Sequence, residues 1–346
     1  MSIKLSICIP TYNRAAFIGQ TLESVISQAT DEVEIVISDN ASQDNTEEIV
    51  SSYRQRFPRI TYRRWDKNVG ADRNYLKVVE LACGDYCWLM GSDDKIESGG
   101  LQTVLQALAM YPDLAGISTN VEGYDSSLSK KIEISPPVVF TDNRYFDNAG
   151  ECFSVLGAWF GYISGQIVNK KLWDKVVNEN KLEPYFNAYV HIYVISKMLL
   201  EKPAWLYLHH KCVGWRSGND SFLSEGRFKR LALDIIGYEK IARDVFGKFS
   251  RPYNELMKIV ATTHVRMQII APKYYNVSHK FYFKALPLCV KNYWAYPSFW
   301  LKTFPHLIVY TLMPNCIFNF LRFIWGNTLK KPVYRYLRSR TGNRCD

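Results

Sequence analysis

Residues 86–94 read Tyr-Cys-Trp-Leu-Met-Gly-Ser-Asp-Asp, an apolar run that ends in a turn and two adjacent carboxylates. We interpret Tyr86–Met90 as a buried strand and the next two residues as a turn. Two like charges at the end of a buried strand repel each other, so a cation would stabilise Asp93 and Asp94. Mg²⁺ and Mn²⁺ fit, because hard cations prefer oxygen ligands. An ordinary solvated turn is the alternative, since Ser-Asp-Asp is also common turn composition.

Three more short runs with strand character precede this one, and each is followed by a helical pattern. They are Lys4–Pro10, Glu34–Ser38 and Arg59–Arg64. Short runs rich in β-branched residues suit parallel strands that are covered on both faces. Four strands that alternate with helices predict an α/β fold with a mainly parallel sheet flanked by helices.

Each predicted strand ends in a cluster of polar residues. The clusters are Thr11–Arg14, Asp39–Ser42, Asn68–Asn74 and Ser92–Asp94. In open α/β sheets, ligands bind beyond the carboxyl ends of the strands. The four clusters therefore predict a single binding crevice at that edge of the sheet.

These motifs resemble the nucleotide-sugar-binding half of family 2 glycosyltransferases with the GT-A fold. The resemblance rests on Ile-Pro-Thr-Tyr-Asn-Arg, Ile-Ser-Asp-Asn-Ala-Ser, Asn-Val-Gly-Ala-Asp-Arg-Asn and Gly-Ser-Asp-Asp, which occur in this order within residues 9–94. It fades beyond residue 225. Within the family, the chain is most similar to transferases of bacterial O-antigen assembly, including the abequosyltransferase type.

The resemblance implies a role for each cluster. The Ser-Asp-Asp stretch corresponds to the metal-binding DXD motif, with Asp94 at the metal and Asp93 nearer the ribose. Asp39 is implied to read the base, but residues 38–42 depart from the usual Asp-Asp-Gly-Ser of the family, which leaves the base open. The residues assigned to the nucleotide sugar are Pro10, Thr11, Tyr12, Arg14, Asp39, Asn68, Arg73, Ser92, Asp93 and Arg216.

The chemistry of these side chains agrees with such roles. A carboxylate such as Asp39 accepts hydrogen bonds from base N–H groups, and the forked guanidinium groups of Arg14 and Arg73 match phosphate oxygens. Solvated surface charge is the alternative for both arginines. Arg216 is expected to offset the charge on the leaving group, with a surface turn as the alternative.

Residues 159–193 supply the candidates for the acceptor side. Trp159 and Tyr162 offer aromatic faces to a sugar, and a core position is the alternative for Trp159. Inverting members of the family place an acidic base on a later helix, but residues 187–193 hold no carboxylate. His191 takes that place, because a neutral imidazole can remove a hydroxyl proton. A structural histidine and a retaining mechanism without a base are the alternatives, so the stereochemistry stays open.

The last third of the chain differs in charge. Residues 1–225 carry 22 Lys and Arg against 28 Asp and Glu, whereas residues 226–346 carry 21 against 5. Aromatic and basic residues interleave there, which favours the headgroup region of an anionic membrane. The uncharged stretch Thr303–Leu321 contains two prolines, so we expect an interfacial helical pair there and not a spanning helix. Residues 281–340 as a whole are expected to lie in the membrane interface. Nucleic acid is excluded as a partner, because apolar runs such as Leu307–Tyr310 separate the basic residues.

These observations predict two parts, a GT-A glycosyltransferase domain at residues 1–225 and a basic, aromatic-rich helical region at 226–346 that associates with a membrane. The predicted activity is metal-dependent transfer of a sugar from a nucleotide-sugar donor to a lipid-linked (polyprenyl diphosphate) oligosaccharide. The abequosyltransferase resemblance implies CDP-abequose as the donor. The expected location is the cytoplasmic face of the bacterial inner membrane, peripherally bound, because no signal peptide precedes the first strand. A sugar nucleotidyltransferase and a noncatalytic polysaccharide-assembly protein remain alternatives.

Overall fold

The computed structural model describes residues 4–328 apart from 135, 137 and 139. The chain divides into two compact units. The first comprises the residues up to Lys131 together with Val138–Arg216, and the second comprises 132–137 together with the residues from Ser217 onward. The division falls ahead of residue 226, the boundary expected from charge, because the last strand of the first unit ends at Arg216.

The first unit contains one large sheet flanked by helices. Its strands are β1 (Leu5–Thr11), β2 (Val33–Asp39), β3 (Ile60–Arg64), β4 (Tyr86–Leu89), β5 (Lys95–Ile96), β6 (Gly116–Tyr124), β7 (Lys131–Ile132, at the division), β8 (Arg144–Phe146), β9 (Gln166–Asn169) and β10 (Trp205–Arg216). Its helices are α1 (Ala15–Ile26), α2 (Thr46–Arg56), α3 (Ala71–Glu80), α4 (Gly100–Met110), α5 (Ala149–Leu156), α6 (Lys170–Glu179) and α7 (Val190–Glu201).

The sheet is parallel in its first half and mixed beyond it. The strand order is β3-β2-β1-β4-β9-β6-β10-β5, with β7 beside β6 and β8 beside β10. The first four strands are parallel, and β9 runs antiparallel to both β4 and β6. Every residue of β1 and β2 is buried, as expected for strands covered on both faces. The predicted α/β fold is confirmed, and the predominance of parallel strands holds for its first half.

Strand β10 is longer than any strand predicted from the sequence. Its middle residues His209, His210 and Lys211 are exposed. Because they are polar, they interrupt the apolar pattern from which a strand is predicted. The register with β6 shifts on both sides of Lys211. Such an irregularity lets the polar residues face solvent while both ends of the strand stay buried. His209–Lys211 therefore lie in the middle of a strand.

Residues 217–328 are mainly helical. The helices are α8 (Arg227–Phe246), α9 (Arg251–Thr262), α10 (His264–Tyr274), α11 (His279–Tyr293), α12 (Pro297–Lys302), α13 (Phe304–Leu312) and α14 (Asn315–Thr328). Many of the aromatic residues counted toward a membrane surface lie inside this unit, because Phe281, Tyr282, Tyr293 and Phe299 are buried. Aromatic residues in this unit therefore form part of a helical core, and their number alone does not indicate a membrane surface.

Helices α13 and α14 meet at a sharp bend. Among the described residues, no single helix is long and apolar enough to cross a membrane, whereas Phe304–Leu312 and Asn315–Phe323 together reach that length and composition and are bent by 111°. The buried Lys273 of α10 donates hydrogen bonds to the carbonyl oxygens of Tyr310 and Met313 at the bend. Membrane association of residues 281–340 stays a prediction, and residues 329–340 lie outside the described part of the chain.

Candidate active site

The carboxyl ends of β1 and β2 are held at one level by Asn74 in α3. Its Nδ2 donates to the carbonyl oxygens of Thr11 at 3.3 Å and Ser38 at 2.9 Å, and its Oδ1 accepts from Ser38 Oγ at 2.7 Å. Asn74 is 3% exposed, so the hydrogen bonds are shielded from water. One amide side chain therefore fixes two of the four predicted strand ends, and the predicted crevice begins at a rigid edge.

Asp39 is fully buried at the end of β2. Its Oδ2 accepts from the hydroxyl of Tyr62 at 2.7 Å, and its Oδ1 accepts from the backbone N–H of Ser42 at 2.8 Å. Burial and the neighbouring carboxylate raise the pKa of Tyr62, so this hydroxyl stays a donor. The contacts hold the loop after β2 in place, and the base-reading role of Asp39 stays a prediction.

Two asparagines join the loops after β2 and β3. Asn40 Nδ2 donates to Asn68 Oδ1 at 3.0 Å, and Asn40 Oδ1 accepts from the N–H of Val69 at 2.8 Å. Asn68 Oδ1 also accepts from the N–H of Gly70, whose φ of 88° lies in the left-handed region that favours glycine. Asn68 shapes the crevice wall, and a direct contact between Asn68 and the nucleotide remains a prediction.

Tyr12 and Arg14 stand at the open end of β1. The side chain of Tyr12 is 40% exposed, which leaves its ring available to a base. The guanidinium of Arg14 lies 5.8 Å from the ring centre of Phe17, and that of Arg216 lies 4.8 Å from the same centre. The shared ring brings two predicted nucleotide-sugar residues, 202 positions apart in the sequence, to one place.

Asp94 is buried and surrounded by hydrogen-bond donors. Its Oδ2 accepts from Ser164 Oγ at 2.6 Å and from the Tyr162 hydroxyl at 2.8 Å, and its Oδ1 accepts from the Arg216 N–H at 2.9 Å. Burial, with the charge of Asp93 beside it, raises the pKa of Asp94 to about 7. Three donors use most of the lone pairs of this carboxylate, so its visible role is to hold the turn.

Asp93 is the more accessible carboxylate of the pair. It is partly exposed, whereas Ser92 and Asp94 on either side are buried. A side chain at Gly91 would place its Cβ 3.1 Å from Asp93 Oδ1 and 3.0 Å from Ser164 Oγ, so the absence of one leaves room beside both groups. The geometry favours Asp93 as the oxygen ligand that faces a substrate.

A divalent cation fits this arrangement in the way that magnesium is usually held. In the described part of the chain, no group of three or more His, Cys, Asp or Glu side chains is placed to hold a metal ion. Mg²⁺ commonly takes one or two carboxylates and completes its shell with water and substrate phosphates. Asp93, with Asp94 behind it, matches that donor set.

Arg216 is locked by its own hydrogen bonds. Its side chain donates to the carbonyl oxygen of Asp93 at 2.6 Å, to that of Ser126 at 2.7 Å and to Gln20 Oε1 at 2.6 Å. The residue is 3% exposed. All three nitrogens of the guanidinium have acceptors, so Arg216 braces the carboxylate turn, and contact with a leaving group stays a prediction.

The two aromatic candidates for the acceptor side differ in their contacts. Trp159 is 6% exposed, and its indole N–H donates to the carbonyl oxygen of Thr119 at 3.1 Å. Its ring centre lies 5.3 Å from that of Tyr162. Tyr162 reaches Asp94 directly. Trp159 thus has the features of the core alternative, and its role as an acceptor platform is not established by these contacts.

His191 lies in the first turn of α7 and is 1% exposed. Neither ring nitrogen has a partner with full hydrogen-bond geometry among the described residues. Burial lowers the pKa of His191 to about 4, and hydrogen bonding to the backbone at Phe160 and Gly161 makes a smaller contribution in the opposite direction. The imidazole is therefore neutral near pH 7, as a proton acceptor must be, and a buried polar group without a partner needs an explanation.

Asp72 is a site residue that sequence reasoning did not single out. Its Oδ2 accepts from the N–H of Ala188 at 2.8 Å, and its Oδ1 accepts from the N–H of Val190 at 3.0 Å. The carboxylate of α3 thus lies at the start of α7, the helix whose own first residues hold no acid. Desolvation raises the pKa of Asp72, although both N–H groups oppose the shift.

Arg73 follows in the same helix, with its guanidinium 4.8 Å from the ring centre of Phe186. One turn of α3 therefore contacts the acceptor side twice. The only signal in the sequence was an acidic residue in the first turn of a helix, which does not reveal a partner 116 residues away.

Comparisons with known proteins agree with this fold. The Glycosyl transferase family 2 model matches residues 6–163. The abequosyltransferase RfbV of Salmonella typhimurium strain LT2 is 34% identical over 261 residues, which is 70% of this chain and 76% of that protein. A GalNAc(5)-diNAcBac-PP-undecaprenol beta-1,3-glucosyltransferase of Campylobacter jejuni is 22% identical, over 82% of this chain and 89% of that protein.

Solved structures show the same fold. S. aureus TarS 1–349 in complex with UDP-GlcNAc aligns with a TM-score of 0.55 at 15% identity, over 84% of this chain and 89% of that one. The mannosyltransferase PcManGT from Pyrobaculum calidifontis, in complex with GDP-Man and Mn²⁺, aligns with a TM-score of 0.54 at 15% identity, over 99% and 85%. The fold is that of nucleotide-sugar-dependent glycosyltransferases. The chain belongs to glycosyl transferase family 2, as its motifs predicted.

Proposed function

We propose that this glycosyltransferase moves a sugar from a nucleotide-sugar donor to a hydroxyl of a lipid-linked oligosaccharide during assembly of an O-antigen or related surface polysaccharide. The observation that carries the proposal is the turn at Asp93 and Asp94, held beside the tied ends of β1 and β2 in a chain 34% identical to an abequosyltransferase. The name of this relative supports abequose as the transferred sugar, and we propose CDP-abequose as its donor. The name of the Campylobacter relative supports a polyprenyl-linked acceptor.

The donor side is assigned from exposure and charge. Tyr12 offers its ring to the base, while Arg14 and Arg73 offer guanidinium groups to the diphosphate. Asp93, with Asp94 behind it, would hold Mg²⁺ or Mn²⁺, and such a cation supplies charge neutralisation at the departing nucleoside diphosphate. The partly exposed Asp93 carboxylate and the room beside Gly91 support this assignment.

The acceptor side is assigned from the unpaired imidazole of His191. A buried polar group without a partner is costly, and an acceptor hydroxyl would supply the missing partner. In this proposal His191 takes the hydroxyl proton as the new glycosidic bond forms, and Tyr162, which is bonded to Asp94, offers its ring to the acceptor sugar. A low pKa makes His191 a weak base that is always unprotonated near neutrality.

One experiment tests the activity against its alternatives. The protein is incubated with a panel of nucleotide sugars and a polyprenyl-diphosphate-linked oligosaccharide, with and without Mn²⁺, and free nucleoside diphosphate and glycosylated lipid are measured together. Transfer requires both products in equal amounts. Nucleotide-sugar synthesis from a sugar phosphate with release of pyrophosphate would show a nucleotidyltransferase. Absence of both products would favour a noncatalytic assembly protein.

The C-terminal unit is proposed to place the enzyme on the cytoplasmic face of the inner membrane. No Asp or Glu occurs between residues 256 and 345, a stretch with 14 Lys and Arg. Helices α13 and α14 expose Val309, Leu312, Ile317, Phe320 and Phe323. Exposed apolar side chains within a chain segment of one charge sign suit an anionic lipid surface, where a lipid-linked acceptor is found.

A further inference from the structure

The backbone N–H groups at the start of α7 are bonded by side chains that lie outside this helix. Tyr189, the N-cap residue directly before Val190, provides no capping side chain. Asp72 accepts from the N–H groups of Ala188 and Val190, and Asn187 Oδ1 accepts from the N–H of Tyr189 at 3.2 Å. The main cap of α7 therefore comes from another helix, and Ala188 adopts a φ of 71° to present its N–H.

The same turn of α3 is fixed on the donor side. Asn74, two residues after Asp72, binds the ends of β1 and β2 through the carbonyl oxygens of Thr11 and Ser38. Gly70, two residues before it, is bound by Asn68 Oδ1 at 2.9 Å. The first turn of α3 is thus attached both to the strand ends of the proposed donor site and to the start of α7.

A second contact between α3 and α7 involves the proposed base, His191. The ring centre of Tyr75 in α3 lies 5.5 Å from that of His191, in an edge-to-face arrangement. His191 is the residue directly after Val190, whose N–H Asp72 binds. A shift in the cap would therefore move the imidazole relative to the donor side.

We propose that Asp72 is a positioning residue for the transfer reaction: its carboxylate ties the start of α7, and so the placement of His191, to the donor-side turn of α3. The inference rests on the proposed function, because it assigns Asp72 to the same reaction. Asp72 acts through α7 and does not touch the reacting atoms.

Both oxygens of Asp72 are needed for this role. The two N–H groups at the start of a helix carry partial positive charge, which an ionised carboxylate matches. An asparagine keeps one acceptor and turns a donor toward the second N–H. An alanine leaves both N–H groups of a 7% exposed site without partners. The two substitutions therefore form a graded series.

The test compares Asp72→Asn and Asp72→Ala with Glu80→Gln, an exposed substitution in the same helix. We expect kcat to fall about tenfold in Asp72→Asn and further in Asp72→Ala, while the donor dissociation constant changes less than about twofold. Glu80→Gln should behave as the wild type. Rates are measured well below the melting temperature of each variant, so that loss of folded protein does not enter.

Hydrogen–deuterium exchange gives a readout that does not need activity. Residues 186–194 should exchange faster in both Asp72 variants, and residues 5–11 of β1 should exchange as in the wild type. Unchanged exchange at 186–194 with unchanged kcat would overturn the inference. Equal loss of donor binding and kcat would also overturn it, since Asp72 would then support the donor site alone. A wild type without transfer activity would contradict the proposed function, and exchange would still decide whether Asp72 orders α7.

Discussion

The hydroxyl of Tyr162 donates a hydrogen bond of 2.8 Å to Oδ2 of Asp94. An aromatic residue assigned to the acceptor is thus bonded to a carboxylate assigned to the metal. Because Asp94 also accepts from Ser164 and Arg216, the acidic turn is connected to two other parts of the first unit, the segment between α5 and β9 and the end of β10. Changes at this turn should affect donor and acceptor together.

The two carboxylates of the turn should respond differently to neutralisation. Asp93→Asn should lower Mn²⁺-dependent turnover by about a hundredfold or more with little change in melting temperature, because the partly exposed charge faces the cation. Asp94→Asn should also remove most of the activity, since it alters the support behind the ligand. Turnover is measured against Mn²⁺ concentration for each variant. Normal metal dependence in Asp93→Asn, with loss only in Asp94→Asn, would assign the metal to Asp94.

Removal of the His191 imidazole should lower the turnover rate. His191→Phe removes the proposed base while keeping an aromatic ring against Tyr75, and turnover should fall about a hundredfold with little change in donor affinity. Product configuration is determined by NMR on the wild type. A small loss of rate, together with a product that keeps the anomeric configuration of the donor, would make His191 structural and the mechanism retaining.

His191 should also make stability depend on pH. Its pKa is about 4 in the folded protein and near 6.5 in an unfolded chain, so the unfolded state binds more protons between these values. Its contribution to the unfolding free energy is fully present above pH 6.5 and is lost as the pH falls toward 4, by up to about 3 kcal/mol. Urea unfolding at pH 7.0 and 4.5 should show a smaller difference for His191→Phe than for the wild type. His210→Gln, at an exposed position, should keep the wild-type difference.

Substitution of Arg216 should lower the unfolding free energy more directly than it lowers the rate of sugar transfer. Arg216→Lys keeps the positive charge but cannot reach Asp93, Ser126 and Gln20 together, so about 2–4 kcal/mol of unfolding free energy should be lost. Thermal and urea unfolding measure the loss, and Arg63→Lys, at an exposed position, is the control. A fully stable Arg216→Lys protein with greatly reduced turnover would favour the original expectation that Arg216 faces the leaving group.

The C-terminal unit should bind anionic vesicles both through its basic residues and through its exposed apolar side chains. Salt should weaken flotation with phosphatidylglycerol vesicles without abolishing it, because screening acts on charges and leaves apolar contacts. Phe320→Ser combined with Phe323→Ser should remove the salt-resistant part, whereas Tyr145→Ser, an exposed aromatic of the first unit, should not. Binding unaffected by both changes would contradict the proposal. Extraction from membranes only by detergent would favour a spanning arrangement of α13 and α14.

The parallel half of the sheet was predictable because its strands are short, apolar and separated by helical patterns. The sequence also placed polar residues at the strand ends. The structure ties the ends of β1 and β2 together through Asn74, and the loops after β2 and β3 together through Asn40 and Asn68. Strand β10 was not predictable in the same way, since His209–Lys211 interrupt its apolar pattern at a register shift. Local periodicity carries no information about such an irregularity.

The sequence placed candidate residues at the strand ends, but it did not indicate their hydrogen-bond partners. Asp94 and Arg216 are bonded to residues far away in the sequence. Ser164 lies 70 residues from Asp94, and Ala188 lies 116 from Asp72. Roles that depend on such pairs can be assigned only from the folded structure, because no local sequence pattern indicates which distant N–H or hydroxyl group will bond a given carboxylate.

The bonds of Arg216 have a consequence for the order in which the chain folds. Arg216 reaches Gln20 across 196 residues and supplies the N–H that Asp94 accepts across 122. Closure of such long loops comes late, and synthesis delivers the amino-terminal strands well before β10. A nascent chain that stops short of residue 216 would carry all four strand-end motifs yet lack the brace for its acidic turn. We therefore expect the predicted donor site to mature only after residue 216 has left the ribosome.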